Sequence, residues 1–374
     1  MSIQKTSLPS RGRILIVAGG TGGHIYPALS VAQALKDLHS EIEIHFAGTP
    51  RGLENQIIPQ EGYPLHHIPI GRLNRNIALK ERLLTLVRLP GAFFRSWTLI
   101  RKLKPDLVVG FGGHASGPLL LMASLVRIPN AIWEPNAHPG MANRILSRFV
   151  DHCLVVFPEA AKGLKFRNLV QVGMPVRPSI EALTQNPTLE QVHRPLRVLV
   201  FGGSQGARGI NRAVMEGLIS QAESWDGQVE IVHQTGSADY AHIKSQYDQS
   251  PHPLPVQVFE YLHDMDQRYL WADLVVARAG TGTLSELAAC ARGSLLIPLP
   301  TAADNHQQKN AEVFAQQGAA IMILQKDFNG VSFSQMIEDF IAHPEKLVLM
   351  SRAVRSLHRP QAAQQMADLL SHLR

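Results

Sequence analysis

Apolar residues in this chain fall in short unbroken runs instead of alternating with polar ones. The strand candidates are "RILIVA" (13–18), "EIHFAG" (43–48), "DLVVGF" (106–111), "AIWE" (131–134), "CLVVF" (153–157), "RVLVFGG" (197–203), "VEIVHQ" (229–234), "VQVFEYL" (256–262), "DLVVAR" (273–278) and "SLLIPL" (294–299). Runs of this length, apolar at successive residues, belong to strands covered on both faces. Between them lie stretches of helical spacing such as "PALSVAQALKDL" (27–38), which predicts a helix starting at Pro27. Strand and helix in alternation predict an α/β protein with doubly wound parallel sheets.

The opening pattern recurs about half a chain later, where "LRVLVFGGSQGA" (196–207) echoes "RILIVAGGTGGH" (13–24). Two Rossmann-like domains are therefore predicted, residues 1–183 and 196–350. The polar stretch "TQNPTLEQVHRP" (184–195), with two prolines, is the expected linker, and 351–374 the expected C-terminal helix packing back toward the first domain. The longest uncharged window, 107–126, approaches a membrane span in length. Its four glycines and Pro118 predict a strand, a loop and a helix instead.

Each glycine-rich turn leads a strand into a helix, where backbone N–H groups and the helix dipole favour a phosphate. The dinucleotide fingerprint is not met: counted from Gly20 it needs glycine at 25, where Ile25 stands, and "EIHFAGT" ends without an acid for a ribose. No Gly-Lys-Ser/Thr follows either loop, so neither NAD nor ATP is expected. Two such loops, one per domain, suit a diphosphate-bearing substrate held in a cleft that both domains face. In "ARAGTGTLSELAA" (277–289), Thr283 and Glu286 have capping-box spacing. Alternatively Glu286, close behind a strand, accepts from two ribose hydroxyls; the sequence leaves both readings open. Asn305, His306 and Gln307 in "DNHQQKNA" suit sugar hydroxyls, or simply a polar loop.

Composition narrows the classes further. The chain has 374 residues, 45% hydrophobic and 18% charged, enough for two domain cores. Cys153 and Cys290 are its two cysteines, which excludes a disulfide framework or a four-cysteine zinc site. No signal peptide is expected from the N-terminal segment. Asp264-Met265-Asp266 opens a helical stretch, where acids serve the helix start, and the adjacent His66 and His67 diverge, so no metal is expected. The formal charge is +6, yet residues 71–104 hold nine Lys/Arg against Glu81 alone. The same window carries Leu83, Val87, Phe93, Phe94 and Trp97. Basic residues beside an apolar stripe seat a helix on an anionic membrane surface; the plainer reading is a helix pair, broken at Pro90-Gly91, with its stripe in the core.

Six motifs occur in order: "GGTGGHIYPALSVA", "GFGGHASGP", "GMPVR", "GGSQGA", "RAGTGTLSE" and "NHQQKNA". Together they resemble the MurG family of bacterial N-acetylglucosaminyltransferases, from about residue 13 to 345. The resemblance implies the GT-B architecture and an inverting, metal-independent transfer with no cofactor. It implies UDP-N-acetylglucosamine as donor and lipid I, an undecaprenyl-diphosphoryl muramyl-pentapeptide, as acceptor, giving lipid II for peptidoglycan. It further implies a peripheral place on the cytoplasmic face of the bacterial inner membrane, other cell-wall synthesis proteins as partners, and no nucleic acid.

Carried over by motif, Thr21, Gly22 and Gly23 line the donor site with Asn136, while Arg177 and Ser204 meet the diphosphate. Thr281, Gly282, Thr283, Leu284, Ser285 and Glu286 wrap ribose and phosphate, the Leu262 backbone meets uracil, and Gln307 meets the sugar hydroxyls. Pro135 in "WEPNA", His114 and Met174 depart from the family pattern, which weakens the transfer of Asn136. His24 is the candidate general base, since a sugar hydroxyl must lose a proton as it attacks, or else a hydrogen-bond partner of the donor; the plainer reading is a hydrogen-bonding role at the helix start. The rivals are another GT-B lipid glycosyltransferase, a UDP-sugar 2-epimerase, and a non-catalytic nucleotide-sugar-binding subunit.

Overall fold

The computed structural model describes residues 11–71, 79–186 and 188–373, with backbone only for 79–86. The chain divides into two compact units, residues 1–175 with 361–374, and residues 176–360. The first unit is built on seven parallel strands in the order β3-β2-β1-β4-β5-β6-β7. These are β1 Arg13–Val17, β2 Glu43–Gly48, β3 Leu65–His67, β4 Leu107–Gly110, β5 Asn130–Glu134, β6 His152–Val155 and β7 Asn168–Gln171. The second unit has six, ordered β10-β9-β8-β11-β12-β13. They are β8 Leu196–Phe201, β9 Val229–Gln234, β10 Val256–Phe259, β11 Leu274–Ala277, β12 Gly293–Leu296 and β13 Ala320–Met322.

Successive strand side chains point to opposite faces, so an unbroken apolar run feeds two cores at once. In β1, Ile14 and Ile16 join the core against the helix Gly22–Leu38, and Leu15 and Val17 join the one beneath the helix Leu79–Leu103. In β8, Val198 and Val200 pack with Trp225, Phe333 and Phe340. The sequence reading lacked β3, β7 and β13. All three are edge strands of three or four residues with a single neighbour, where half-exposure breaks the apolar run.

Four local readings are corrected. The first helix begins at Gly22 and carries Pro27 inside it, so His24 stands on its first turn and not in a loop. A proline there removes one N–H bond, to the carbonyl of residue 23, and the helix buries Ile25, Leu29, Ala32 and Leu35 regardless. Leu79–Leu103 is one helix running through Pro90, not a pair. Ala92, Ser96, Ile100 and Leu103 are buried at helical spacing and hold its described part to the sheet.

The expected linker 184–195 belongs to the second unit. Arg355 binds the Thr184 and Asn186 carbonyls, Leu189 N–H donates to Ser351 Oγ at 2.8 Å, and His193 Nδ1 lies 2.7 Å from the fully buried Asp273. A polar sequence reads as a tether until the partners for its backbone are known. The segment 351–374 is likewise divided: the helix Glu345–Ser356 stays with the second unit, and Ala362–Ser371 packs on Gly22–Leu38 of the first. Met366, Ala367 and Leu370 enter that core, and Ser371 Oγ is 2.9 Å from His39 Nε2. Leu370→Ala should therefore destabilise the first unit by about 2–5 kcal/mol in urea unfolding. A loss below about 1 kcal/mol would show that the C-terminal helix is not part of its core.

Candidate functional site

Strand order reverses direction at β1–β4 in the first unit and at β8–β11 in the second, the places where open parallel sheets bind ligands. Thr21–His24 follow β1, Ser204 follows β8 and Thr281–Glu286 follow β11 at these carboxyl ends, while Asn136, Leu262 and Gln307 follow β5, β10 and β12. In the first unit, Gly113 (φ +94°) sits so close to the loop after β1 that a Cβ there would lie 2.9 Å from Gly19 O. Gly112 (φ +127°) leaves the same room for His24, its Cβ falling 2.8 Å from the imidazole. His24 Nδ1 is 3.1 Å from the Gly19 carbonyl. A carbonyl only accepts, so a bond here places a proton on Nδ1, and Nε2 is then the basic nitrogen of the neutral form. Thr21 is the exposed N-cap residue and makes no side-chain cap bond; Gly22 and Gly23 open the helix.

Beneath this loop lies a residue that the sequence reading missed. Glu54 is fully buried. Its Oε2 accepts from Gly20 N–H at 2.9 Å, and its Oε1 from Thr49 N–H at 2.9 Å and Thr49 Oγ1 at 2.8 Å. Burial pushes the carboxyl up, but the bonds from Gly20 and Thr49 outweigh it, and Glu54 sits below the usual carboxylate range. "EIHFAGT" does end without an acid; one returns from the helix Glu54–Gln60 that follows.

Asn136 is fixed by a second buried carboxylate. Glu134, the last residue of β5, accepts from Asn136 N–H at 2.9 Å, Asn136 Nδ2 at 3.1 Å, Gly140 N–H at 3.0 Å and Asn143 Nδ2 at 2.9 Å. Burial pushes its carboxyl up despite these donors. Of the departures from pattern, Met174 is buried in the core beside Val172, and His114 is half-buried.

In the second unit, the loop after β8 holds Gly203 (φ +88°) and Gly206 (φ +73°). A Cβ on Gly206 would fall 1.8 Å from Thr235 O. Ser204 is exposed at its tip, ahead of the helix Arg208–Ser220, whose N-terminal amides favour an anion. The helix Thr281–Cys290 is N-capped by Gly280 without a side-chain cap bond, so Thr283 and Glu286 do not form a capping box. Glu286 faces other partners. Arg177 reaches its Oε1 from Nε at 3.1 Å and Nη2 at 2.9 Å, and Tyr269 OH donates to its Oε2 at 3.0 Å.

Burial works against the Arg177 charge, but Glu286 more than offsets it. Tyr269, also missed from sequence, is fully buried, and burial beside Glu286 pushes its phenol well above the ordinary value. Gly282, Thr283 and Ser285 are half-buried, while Leu284 points wholly into the core and offers its backbone alone. Thr281 Oγ1 is 3.2 Å from Asn310 Nδ2. Gln307 Oε1 accepts from Leu299 N–H at 3.0 Å. Asp304 and Asn305 both adopt positive φ just before it, a conformation their short polar side chains tolerate. Leu262 is buried beside the exposed Tyr261.

Asp264, the N-cap residue of the helix Met265–Trp271, pairs with Arg268 at 2.9 Å. His66 Nε2 is 3.1 Å from His45 Nδ1, and His67 Nε2 2.7 Å from Asn55 Oδ1. A hollow of about 810 Å³ lies at the opposite, amino-terminal end of β8, lined by His193, Pro195, Leu196 and Phe340 among others. It gathers none of the candidate residues.

In the membrane stripe, Val87 and Phe94 are 76% and 62% exposed, Phe93 and Trp97 half-buried, and Leu83 lies outside the described side chains. The neighbouring helices Ser116–Leu125 and Met141–Leu146, with the turns after them, add exposed Leu125, Ile145 and Phe149 with Arg127 and Arg148. Among the described residues, no helix is long and apolar enough to cross a membrane.

Against known proteins, residues 14–155 match the glycosyltransferase family 28 N-terminal domain, and residues 197–368 the family's C-terminal domain. A relative from Bdellovibrio bacteriovorus is 45% identical over 94% of this chain and 96% of its own length. It is named UDP-N-acetylglucosamine–N-acetylmuramyl-(pentapeptide) pyrophosphoryl-undecaprenol N-acetylglucosamine transferase. A protein of the same name from Anaeromyxobacter dehalogenans is 40% identical over 96% of this chain and 93% of its own. The crystal structure of Acinetobacter baumannii MurG superposes with a TM-score of 0.80 at 31% identity, covering 96% of this chain and 99% of that one. A Neisseria meningitidis UDP-GlcNAc 2-epimerase, at 12% identity and a TM-score of 0.65 over 96% of this chain and 99% of its own, shares the fold.

The Glu134 cluster gives a direct test of the Asn136 loop. Glu134→Gln places an amide among four donors, so stability should fall by about 1–3 kcal/mol. The change in urea midpoint measures it; an unchanged midpoint would mean that the carboxylate does not anchor this loop.

Proposed function

Since the chain belongs to glycosyltransferase family 28, we propose that it transfers N-acetylglucosamine from UDP-N-acetylglucosamine to the muramyl C4 hydroxyl of lipid I. The products are lipid II and UDP, in peptidoglycan synthesis. The observation that carries this reading is the 45% identity, sustained over 94% of the chain, to a relative named for that transfer. The residues supply the matching chemistry.

The second unit holds the donor. Glu286, oriented by Tyr269 and Arg177, accepts from the ribose hydroxyls. Arg177 has five N–H donors, of which two face Glu286, so the same guanidinium also serves a phosphate oxygen. The loop 202–207, with Ser204 and the helix start behind it, receives the charge that grows on the leaving diphosphate. The Leu262 backbone meets uracil, Thr281–Glu286 wraps ribose and phosphate, and Gln307 meets the sugar hydroxyls. No ion is needed where amide dipoles and an arginine meet the diphosphate.

In this reading the base is His24 of the first unit, and Thr21, Gly22, Gly23 and Asn136 keep the donor-contacting role that their motifs imply. As the acceptor oxygen bonds to the anomeric carbon, its proton passes to His24 Nε2. The bond to the β-phosphate oxygen breaks, UDP leaves with the electron pair, and the configuration inverts.

Two measurements test this. With labelled donor, transfer to lipid I is expected and transfer to diacylglycerol is not; label on diacylglycerol alone would support the rival lipid glycosyltransferase. His24→Ala should lower turnover by about 100-fold or more while UDP affinity stays within a few-fold, and wild-type turnover would remove His24 from the mechanism. The acceptor's lipid anchor requires the enzyme at a bilayer, and the apolar and basic side chains around Val87 and Phe94 suit the anionic cytoplasmic leaflet, where other cell-wall synthesis proteins meet it. The protein should float with anionic liposomes, and Val87→Ser with Phe94→Ser should release it; unchanged flotation would dismiss this face.

A further inference from the structure

Glu54 is buried under the first glycine loop, and nothing in the proposed transfer uses it. It lies in a cradle of three glycines: a Cβ on Gly19 or Gly48 would fall 2.6 Å from its side chain, and one on Gly52 1.8 Å. A carboxylate so enclosed gives up its hydration and retains its charge only through the donors that face it. One of those donors is the Gly20 N–H.

That N–H and the Gly19 carbonyl belong to one peptide unit. The N–H end donates to Glu54 Oε2 at 2.9 Å, and the carbonyl end faces His24 Nδ1 at 3.1 Å. The atoms therefore run in a continuous chain from carboxylate through amide to imidazole. A carboxylate acceptor makes the bond to the N–H charge-assisted, about twice as strong as a neutral one. Hydrogen bonds in series polarise one another, by about 10–30% per bond, and so the Gly19 oxygen becomes a better acceptor for the Nδ1 proton. In serine hydrolases a carboxylate bound directly to a histidine fixes its tautomer and stabilises the imidazolium formed during reaction. Here the peptide stands between the two.

We propose that Glu54 is the positioning residue for His24. Acting through the Gly19–Gly20 peptide, it holds the ring with Nδ1 protonated and Nε2 basic, and supports the positive charge as Nε2 takes the acceptor's proton. The inference rests on the reading of His24 as the base. It accounts for the glycines at 19, 48 and 52 together, since each clears room for the same carboxylate. It also separates the two ends of Glu54: Oε2 serves the peptide that faces His24, while Oε1 serves Thr49 and ties down the strand end.

A double-mutant cycle in the full-length enzyme tests this, with turnover measured on lipid I and urea unfolding run alongside. Glu54→Gln should lower kcat about 10- to 100-fold and leave the KM for UDP-N-acetylglucosamine within about threefold. In a His24→Ala background the same change should cost less than about twofold, because the group it acts through is gone. Equal losses in both backgrounds would overturn the role assigned to Glu54 and leave His24 as base intact. Wild-type turnover in His24→Ala would instead strike the base reading itself.

Thr49→Val separates structure from chemistry. It removes a hydrogen bond from Oε1 while the bond to Gly20 remains, so it should lower stability and hold kcat within about twofold. A kcat loss matching that of Glu54→Gln would reduce Glu54 to a structural anchor. Nitrogen NMR of His24 should show the Nδ1-protonated tautomer in the wild type, shifting toward a mixture in Glu54→Gln. An Nε2-protonated ring in the wild type would overturn the inference.

Discussion

Backbone packed directly on backbone, at the carboxyl ends of the central strands, is the constraint on which both units are built. Gly113 lies against the Gly19 peptide, and Gly206 against Thr235, at separations that no side chain survives. These approaches place amide dipoles where the sheet order reverses, the part of an open parallel sheet that suits an anionic ligand. The glycines are thus more than flexible turns. Each is a place where something else occupies the volume of a Cβ: a carbonyl at 113 and 206, an imidazole at 112, a carboxylate at 19, 48 and 52.

Around that frame, the buried carboxylates near the candidate residues are held by several partners each. Glu54 and Glu134 are each ringed by donors and organise the loops after β1, β2 and β5. Glu286 is held from both sides by Arg177 and Tyr269. A carboxylate with fixed donors keeps one geometry, which a binding site needs more than it needs net stability.

The two sheets were legible in the sequence because fully covered strands leave unbroken apolar runs, and the repeated strand–glycine–helix pattern exposed two like units. The short edge strands were not, since a strand with one neighbour carries a mixed pattern. The helix start at Gly22 was hidden by Pro27, which reads as a first position but sits a turn inside. Residues that gain their role across the fold were also hidden. Tyr269 reads as one more core aromatic of its helix, and Glu54 as a solvated acid at a helix start. The spacing "GTPRGLE", with glycines at 48 and 52 ahead of an acid, was the available signal for the latter. Thr283 and Glu286 show the converse: the spacing fits a capping box, and the fold spends the glutamate elsewhere.

The last helix, Ala362–Ser371, closes the core of the unit that the first residues begin. During synthesis that unit presents an open apolar groove along Gly22–Leu38 until residues 362–371 have been made and can pack on it. The intervening unit, contiguous from 176 to 360, has all its strands well before then. Order of birth and order of completion are therefore reversed in this polypeptide. The half that emerges first is finished last, and a chain without residues 362–371 would leave its groove uncovered.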